Sequence, residues 1–151
     1  MIKIEKAIFT DEVVEQLINL SIIWKEENIT YGLIANTRED LKEPCYLAID
    51  GNRIVGYIFG HYYDNEKKVS IEEGEIPIGE KCFDIDEIYI LKEYRNQGLG
   101  KKLFDALESE VKGKVNFITL PTSTKDYHKI LHFYTEVVDM TFHSAFLFKK
   151  L

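Results

Sequence analysis

One domain of mixed α/β class is predicted for this chain, from three observations. Short β-rich runs recur from Ile2 to Phe148, and other stretches carry apolar residues at helical spacing. A glycine-rich turn, Arg95-Asn96-Gln97-Gly98-Leu99-Gly100, joins a strand pattern directly to a helix pattern. The 151 residues lie within the usual size of one folding unit, so residues 1–151 are taken as a single domain, and 45% hydrophobic content suffices for one core.

The elements follow in order. Ile2-Lys3-Ile4-Glu5-Lys6-Ala7-Ile8 alternates as a strand, and Thr10 can cap a helix whose Val13, Leu17, Leu20 and Trp24 share a face. A second helix is predicted from about Thr30 to Leu41, ending before Pro44 because a residue preceding proline is pushed out of helical geometry. Cys45–Ile49 and Arg53–Tyr63 read as two antiparallel strands joined by Asp50-Gly51-Asn52. The polar stretch from Asp64 to Glu80 is an excursion before a strand that ends at Ile90. The helix after the turn buries Leu99, Leu103, Ala106, Leu107 and Val111 and stops at Gly113. A short strand over Val115–Leu120, a helix over Lys125–Glu136 and a last strand over Thr141–Phe148 complete the order β-α-α-β-β-β-α-β-α-β.

Composition excludes several function classes. No run of about 18 apolar residues exists to span a membrane, and Met1–Lys6 is charged alternation rather than the apolar centre of a signal peptide. A cytoplasmic location is expected, with Cys45 and Cys82 as reduced core thiols. The formal charge of -7 argues against nucleic acid and favours a cationic small molecule or peptide.

The glycine turn has the character of a phosphate cradle: glycines let backbone approach an anion, and the first N–H groups of the following helix have no internal partner. Only Leu99 separates Gly98 from Gly100, so this is not a Walker loop, and Leu103 stands where a dinucleotide fingerprint needs its third glycine. The spacing Arg95-x-x-Gly98-x-Gly100 after an apolar strand resembles the acetyl-CoA loop of the GNAT superfamily of N-acetyltransferases. Residues 85–103, I-D-E-I-Y-I-L-K-E-Y-R-N-Q-G-L-G-K-K-L, are similar to that family's strand, loop and helix, with Lys92 where proline is common.

The resemblance implies an α+β fold, a mixed and mostly antiparallel sheet flanked by helices, and transfer of acetyl from acetyl-CoA directly to a primary amine. It implies that the cofactor is held by the N–H groups of Asn96, Gln97, Gly98, Leu99, Gly100 and Lys101, with Arg95 and Lys101 adding positive charge. Ile88, Tyr89 and Ile90 would pair with the pantetheine arm, the Ile90 amide also serving the thioester oxygen. Tyr134 resembles the family tyrosine whose hydroxyl reaches the cofactor sulfur, so it is the expected catalytic acid. Tyr127 stands where the family often has asparagine, and could bond or stack on the cofactor. The usual Gly-Phe after the tyrosine is replaced by Val138-Asp139-Met140-Thr141.

For the base, adjacent strand residues Asp86 and Glu87 are expected on opposite faces, Glu87 with Ile85 and Tyr89, and Asp86 with Ile88 and Ile90. The resemblance implies Glu87 as the base, with Asp86 or a water chain as the alternatives. His128 and His132 lack a third ligand, so no metal is expected. Glu72, Glu73, Glu75, Glu80 and Asp84 could steer a polyamine or basic peptide, and Trp24, Tyr31 and Glu27 are candidate acceptor-pocket residues. Two other readings stay open, a non-catalytic acyl-CoA-binding module and a protein N-terminal or lysine acetyltransferase, and the sequence leaves a homodimer open.

Overall fold

The computed structural model describes residues 1–67, 69–71 and 74–151. Five strands form one sheet in the order β1-β2-β3-β6-β7: β1 (Lys3–Lys6), β2 (Cys45–Asp50), β3 (Arg53–Asp64), β6 (Lys81–Ile90) and β7 (Phe117–Thr119). The first four pair antiparallel, and β7 joins β6 in parallel through Cys82↔Phe117, Phe83↔Ile118 and Asp84↔Thr119. β4 (Val69–Ile71) and β5 (Gly74–Ile76) make a separate small hairpin within the 64–80 excursion. Glu72 and Glu73 of the acidic stretch lie outside the described residues.

One helix covers each face. α1 (Asp11–Glu27) starts at Thr10, whose side chain accepts from the Val13 amide, and buries Val14, Leu17, Leu20 and Ser21. Its last turns meet β6, where Trp24 stacks on Tyr89 with ring centroids 5.1 Å apart. α2 (Leu99–Val111) lies on the other face and buries Leu99, Leu103, Phe104, Leu107 and Val111, Phe104 taking the inward place expected of the half-buried Ala106. Fully buried side chains such as Leu103 and Leu107 each contribute about 1.5–3 kcal/mol over exposure. Among the described residues, no helix is long and apolar enough to cross a membrane.

Four predicted elements are corrected. The stretch Thr30–Leu41 holds only a 3₁₀ turn, Arg38–Asp40, because other partners claim its polar groups. Thr30 bridges to Thr124, the Asn36 amide donates to the buried Ser21 hydroxyl, and Asp40 caps back onto Thr37. Of the short strand predicted over Val115–Leu120, Phe117–Thr119 joins the sheet, while Val115 makes an isolated bridge to Lys112. The Lys125–Glu136 helix is a short α3 (Tyr127–His132) that widens into a π-turn at Phe133–Val137. The closing strand predicted over Thr141–Phe148 does not form: these residues have no ladder partner among the described residues and are exposed throughout.

The pairing of β3 with β6 slips between Phe59 and Gly60, with Phe59 opposite Glu87 but Gly60 opposite Ile85, so Asp86 is an inserted bulge residue. Gly60 makes the slip feasible, since a Cβ there would lie 1.9 Å from the Asp84 carbonyl oxygen. The bulge also corrects the expected alternation. Directly opposed residues share a face, so Asp84, opposite His61, comes to the same face as Glu87, opposite Phe59, and Ile85 turns away from it.

Candidate active site

Beyond the Asp84–Thr119 pair, β7 stops while β6 runs on to Ile90, and the two diverge. The Leu91 amide donates to the Val55 carbonyl at 2.9 Å. Peptide groups alternate along a strand, so those of Ile88 and Ile90 point away from β3 and into the divergence. The Ile90 carbonyl there accepts from Arg95 Nε at 2.8 Å. No β7 residue pairs with Ile88 or Ile90.

The chain then turns through Lys92–Tyr94 and a left-handed Asn96 into α2. Gly98 is the N-terminal cap of that helix at φ 76°, with nothing within 4 Å of the place a Cβ would occupy and no side chain capping the helix. The first helical backbone bond runs from the Lys102 amide to the Gly98 carbonyl, so the N–H groups of Leu99, Gly100 and Lys101 face out of the helix end. Open backbone, left-handed glycine and an uncapped dipole end together suit a phosphate-bearing ligand.

Arg95 itself faces away from this opening. Its guanidinium bonds Glu27 at 2.7 Å and lies 5.4 Å over the Tyr89 ring, and the Tyr89 hydroxyl also bonds Glu27. Burial alone would raise the Glu27 pKa, but the bonds from Arg95 and Tyr89 hold it below the ordinary value. The arginine thus fastens the end of β6 to the end of α1. Lys101 pairs with Asp105 one turn along, at 2.5 Å, leaving its amide at the helix mouth.

Tyr134 is 9% exposed. Burial pushes its pKa to about 12. Its neighbour Phe133 packs against the cradle, 3.2 Å from where a Gly100 Cβ would be, with Ile90 3.6 Å away on the same side. Loop, strand end and tyrosine segment therefore converge. Tyr127 is more than half exposed and tilts over His128 with centroids 4.2 Å apart.

On the α1 face of the sheet, Glu87 Oε2 accepts from the Tyr57 hydroxyl at 2.7 Å and from Asn36 Nδ2 at 2.8 Å. Its other oxygen, Oε1, accepts no bond among the described residues. Burial raises the Glu87 pKa, the two donors lower it in part, and Asp86 adds to the rise. Nearby, His61 Nδ1 lies 2.9 Å from Asp86, which also pairs with Lys42 at 2.9 Å. Asp84 accepts from Thr119 at 2.6 Å and is raised by burial. The carboxylates of Asp84, Asp86 and Glu87 thus gather on one face, against the expectation that only one of Asp86 and Glu87 could reach it.

Comparison with known proteins decides the family. The sequence matches the acetyltransferase (GNAT) family over residues 9–138. The chain belongs to that family. Among solved structures, similar folds include an aminoglycoside acetyltransferase from an uncultured soil metagenomic sample in complex with trehalose, with TM-score 0.65 and 18% identity over 99% of this chain and 96% of that one. A ribosomal-protein-alanine N-acetyltransferase from Brucella melitensis biovar Abortus 2308 gives 0.62 and 14%, covering 99% of both chains. The aminoglycoside N-acetyltransferase AAC(6')-Iy in complex with CoA gives 0.67 and 12%, over 100% of this chain and 95% of that one. A search of the curated proteins finds no match.

Within this GNAT fold, residues 88–101 form one continuous feature, the strand edge leading into the helix mouth. Sequence reasoning did not find Asn36, Tyr57 or His61, because no local pattern announces a side chain that meets its partner 51, 30 or 25 residues away. Glu27 was singled out for an acceptor pocket, but its carboxylate is committed to Arg95 and Tyr89.

Proposed function

We propose that this GNAT protein transfers acetyl from acetyl-CoA directly to a primary amine on a cationic small molecule or peptide. The observation that carries the reading is the divergence of β6 from β7. It leaves the peptide groups of Ile88 and Ile90 in line with the open mouth of α2, while Glu87 looks out from the other side of the same strand. The amides from Asn96 to Lys101 would hold the pyrophosphate, Gly98 allowing its close approach. The strand edge at Ile88–Ile90 would align the pantetheine arm. Arg95, occupied with Glu27 and the Ile90 carbonyl, supports this edge and leaves the Ile90 N–H as the oxyanion donor.

Glu87 Oε1 is placed to attract the ammonium of the acceptor and take its proton. Glu87 passes this first proton to water; the freed nitrogen forms a C–N bond at the thioester carbon, the Ile90 amide steadies the oxygen, and as the carbonyl re-forms and the C–S bond breaks the nitrogen gives its second proton to the emptied Glu87 carboxylate. Tyr134 meets the departing sulfur. A phenol at about 12 stays protonated at neutral pH, and a thiol's ordinary pKa is about 8.5. Tyr134 therefore donates a hydrogen bond to the developing thiolate, which takes up its proton as it reaches solvent, while Glu87 returns the amine's second proton to water. Tyr127, exposed at the start of α3, would stack on the cofactor. Asp84 and Asp86 beside Glu87, with a net charge of -7, favour a cationic acceptor. The reduced Cys45 and Cys82 suit the cytoplasm.

The test is a panel of polyamines, aminoglycosides, amino acids and short basic peptides with acetyl-CoA, following thiol release and acetylated product by mass. Transfer to a cationic amine above background hydrolysis is expected. Tight CoA binding with no transfer to any amine would instead identify a non-catalytic acyl-CoA-binding module.

A further inference from the structure

Glu27 sits where its own helix disfavours a carboxylate. It is the last residue of α1, and the helix dipole ends negative there. Its partners come from elsewhere in the chain. Arg95 Nη2 donates to Glu27 Oε1 at 2.7 Å, and the Tyr89 hydroxyl donates to the same oxygen. The Tyr89 ring is fixed in turn, stacked on Trp24 at 5.1 Å with the Arg95 guanidinium 5.4 Å over it. Both members of the ion pair are largely covered, the Arg95 side chain 28% exposed and that of Glu27 17%.

The same guanidinium claims the last outward carbonyl of β6. Arg95 Nε donates to the Ile90 oxygen at 2.8 Å, and the next amide, that of Leu91, is taken by Val55 at 2.9 Å. Ile88 is left with both its N–H and its C=O unclaimed by β7, and Ile90 with its N–H alone. The strand edge therefore changes along its length, from donor and acceptor at Ile88 to donor only at Ile90. Each amide of pantetheine carries one N–H and one C=O and matches the first. A thioester has a carbonyl and no N–H, and matches the second. Without Glu27, the guanidinium would be drawn toward the pyrophosphate at Asn96–Lys101 and would release the Ile90 carbonyl.

We infer that Glu27 and Arg95 are positioning residues that set the register of the acetyl-pantetheine arm on β6, by closing the Ile90 carbonyl so that the thioester, and no amide, seats at the Ile90 N–H. The inference rests on the proposed use of acetyl-CoA and adds to it an α1 residue that touches neither donor nor acceptor.

Infrared difference spectra of the full chain with acetyl-CoA isotope-labelled at the thioester carbonyl, taken without acceptor and beside calorimetric binding, test this. Glu27→Gln keeps the size of the side chain and an oxygen for Tyr89 but removes the ion pair. It should bind acetyl-CoA as tightly as the native protein or more tightly, with the carbonyl band moved to higher frequency and broadened as the Ile90 bond is lost. Turnover with the best amine should fall by about 10². Arg95→Lys keeps the charge but not the planar fork, and should move the band in the same direction. A band unmoved in either variant overturns the inference, and so does acetyl-CoA affinity that falls in step with turnover in Glu27→Gln, the mark of a merely structural role. Absence of acetyl-CoA binding to the native protein would overturn this inference and the acetyl-CoA reading together, whereas tight binding with an unmoved band overturns this inference alone.

Discussion

The two sides of β6 are built from different materials. Toward the divergence from β7, the molecule offers backbone: the peptide groups of Ile88 and Ile90, and the amides at the mouth of α2. Toward α1, it offers side chains: Glu87 held by Tyr57 and Asn36, with Asp84, Asp86 and His61 beside it. A backbone surface suits a donor shared by a whole family, since it depends on the fold and a few glycines. A side-chain surface can be redrawn by single substitutions, which suits an acceptor that differs among relatives. The contrast also means that each side should fail separately.

After the loss of Glu87 itself, the largest expected effect is on chemistry at the backbone side. On the proposed mechanism Tyr134→Phe removes the donor to the departing sulfur while keeping the ring, so kcat should fall by about 10²–10³ with CoA affinity retained. Calorimetric CoA binding alongside turnover measures both, and full turnover would remove Tyr134 from the reaction.

Next in size is the device that gathers the acidic face. Gly60→Ala forces a methyl group against the Asp84 carbonyl, so the bulge must shift. A cost of about 3 kcal/mol is expected for such overpacking, or about 10 °C in thermal midpoint for a domain of this size. A midpoint unchanged by the substitution would mean that the slip in register tolerates a side chain.

A smaller effect concerns pH. Glu87 must be ionised to accept a proton, and burial raises its pKa, so activity should rise with pH through that raised value. Tyr57 holds the value down by donating to Oε2; Tyr57→Phe should therefore move the acid limb of the pH–rate profile to higher pH. A shift to lower pH, or none, would assign that limb to another group.

The smallest effect lies away from the site. Glu110 bonds Lys6, Lys114 and Tyr46 on the surface, and these bonds bring its pKa down to about 2. Its folded value is depressed, so its stabilisation is present above the ordinary value of 4.5 and lost as pH falls toward 2. Glu110→Gln should lower the thermal midpoint slightly at neutral pH, the gap closing in acid, with turnover unaffected.

The same contrast decided what could be read from the sequence. The cradle was legible because its parts are contiguous: Gly98 and Gly100 sit between a strand and a helix, and the physics of an open helix end is local. The β2–β3 hairpin was legible through Asp50-Gly51-Asn52 for the same reason. The acidic face was not. Strict alternation separated Asp86 from Glu87, and only the pairing with β3 reveals the inserted residue that brings Asp84 and Glu87 together. The second helix failed because Ser21, Thr124 and the Thr37–Asp40 turn compete for the polar groups of 30–41. The last strand was sound as a pattern but has no partner among the described residues.

The division of labour between the two sides of β6 is tested most directly by Glu87→Gln, with acetyl-CoA affinity and transfer to the best amine of the panel measured on the same protein. Unchanged CoA affinity is expected, with kcat/KM for the amine lowered by about 10²–10⁴. Transfer at the wild-type rate, or CoA affinity falling in parallel with transfer, would contradict the account.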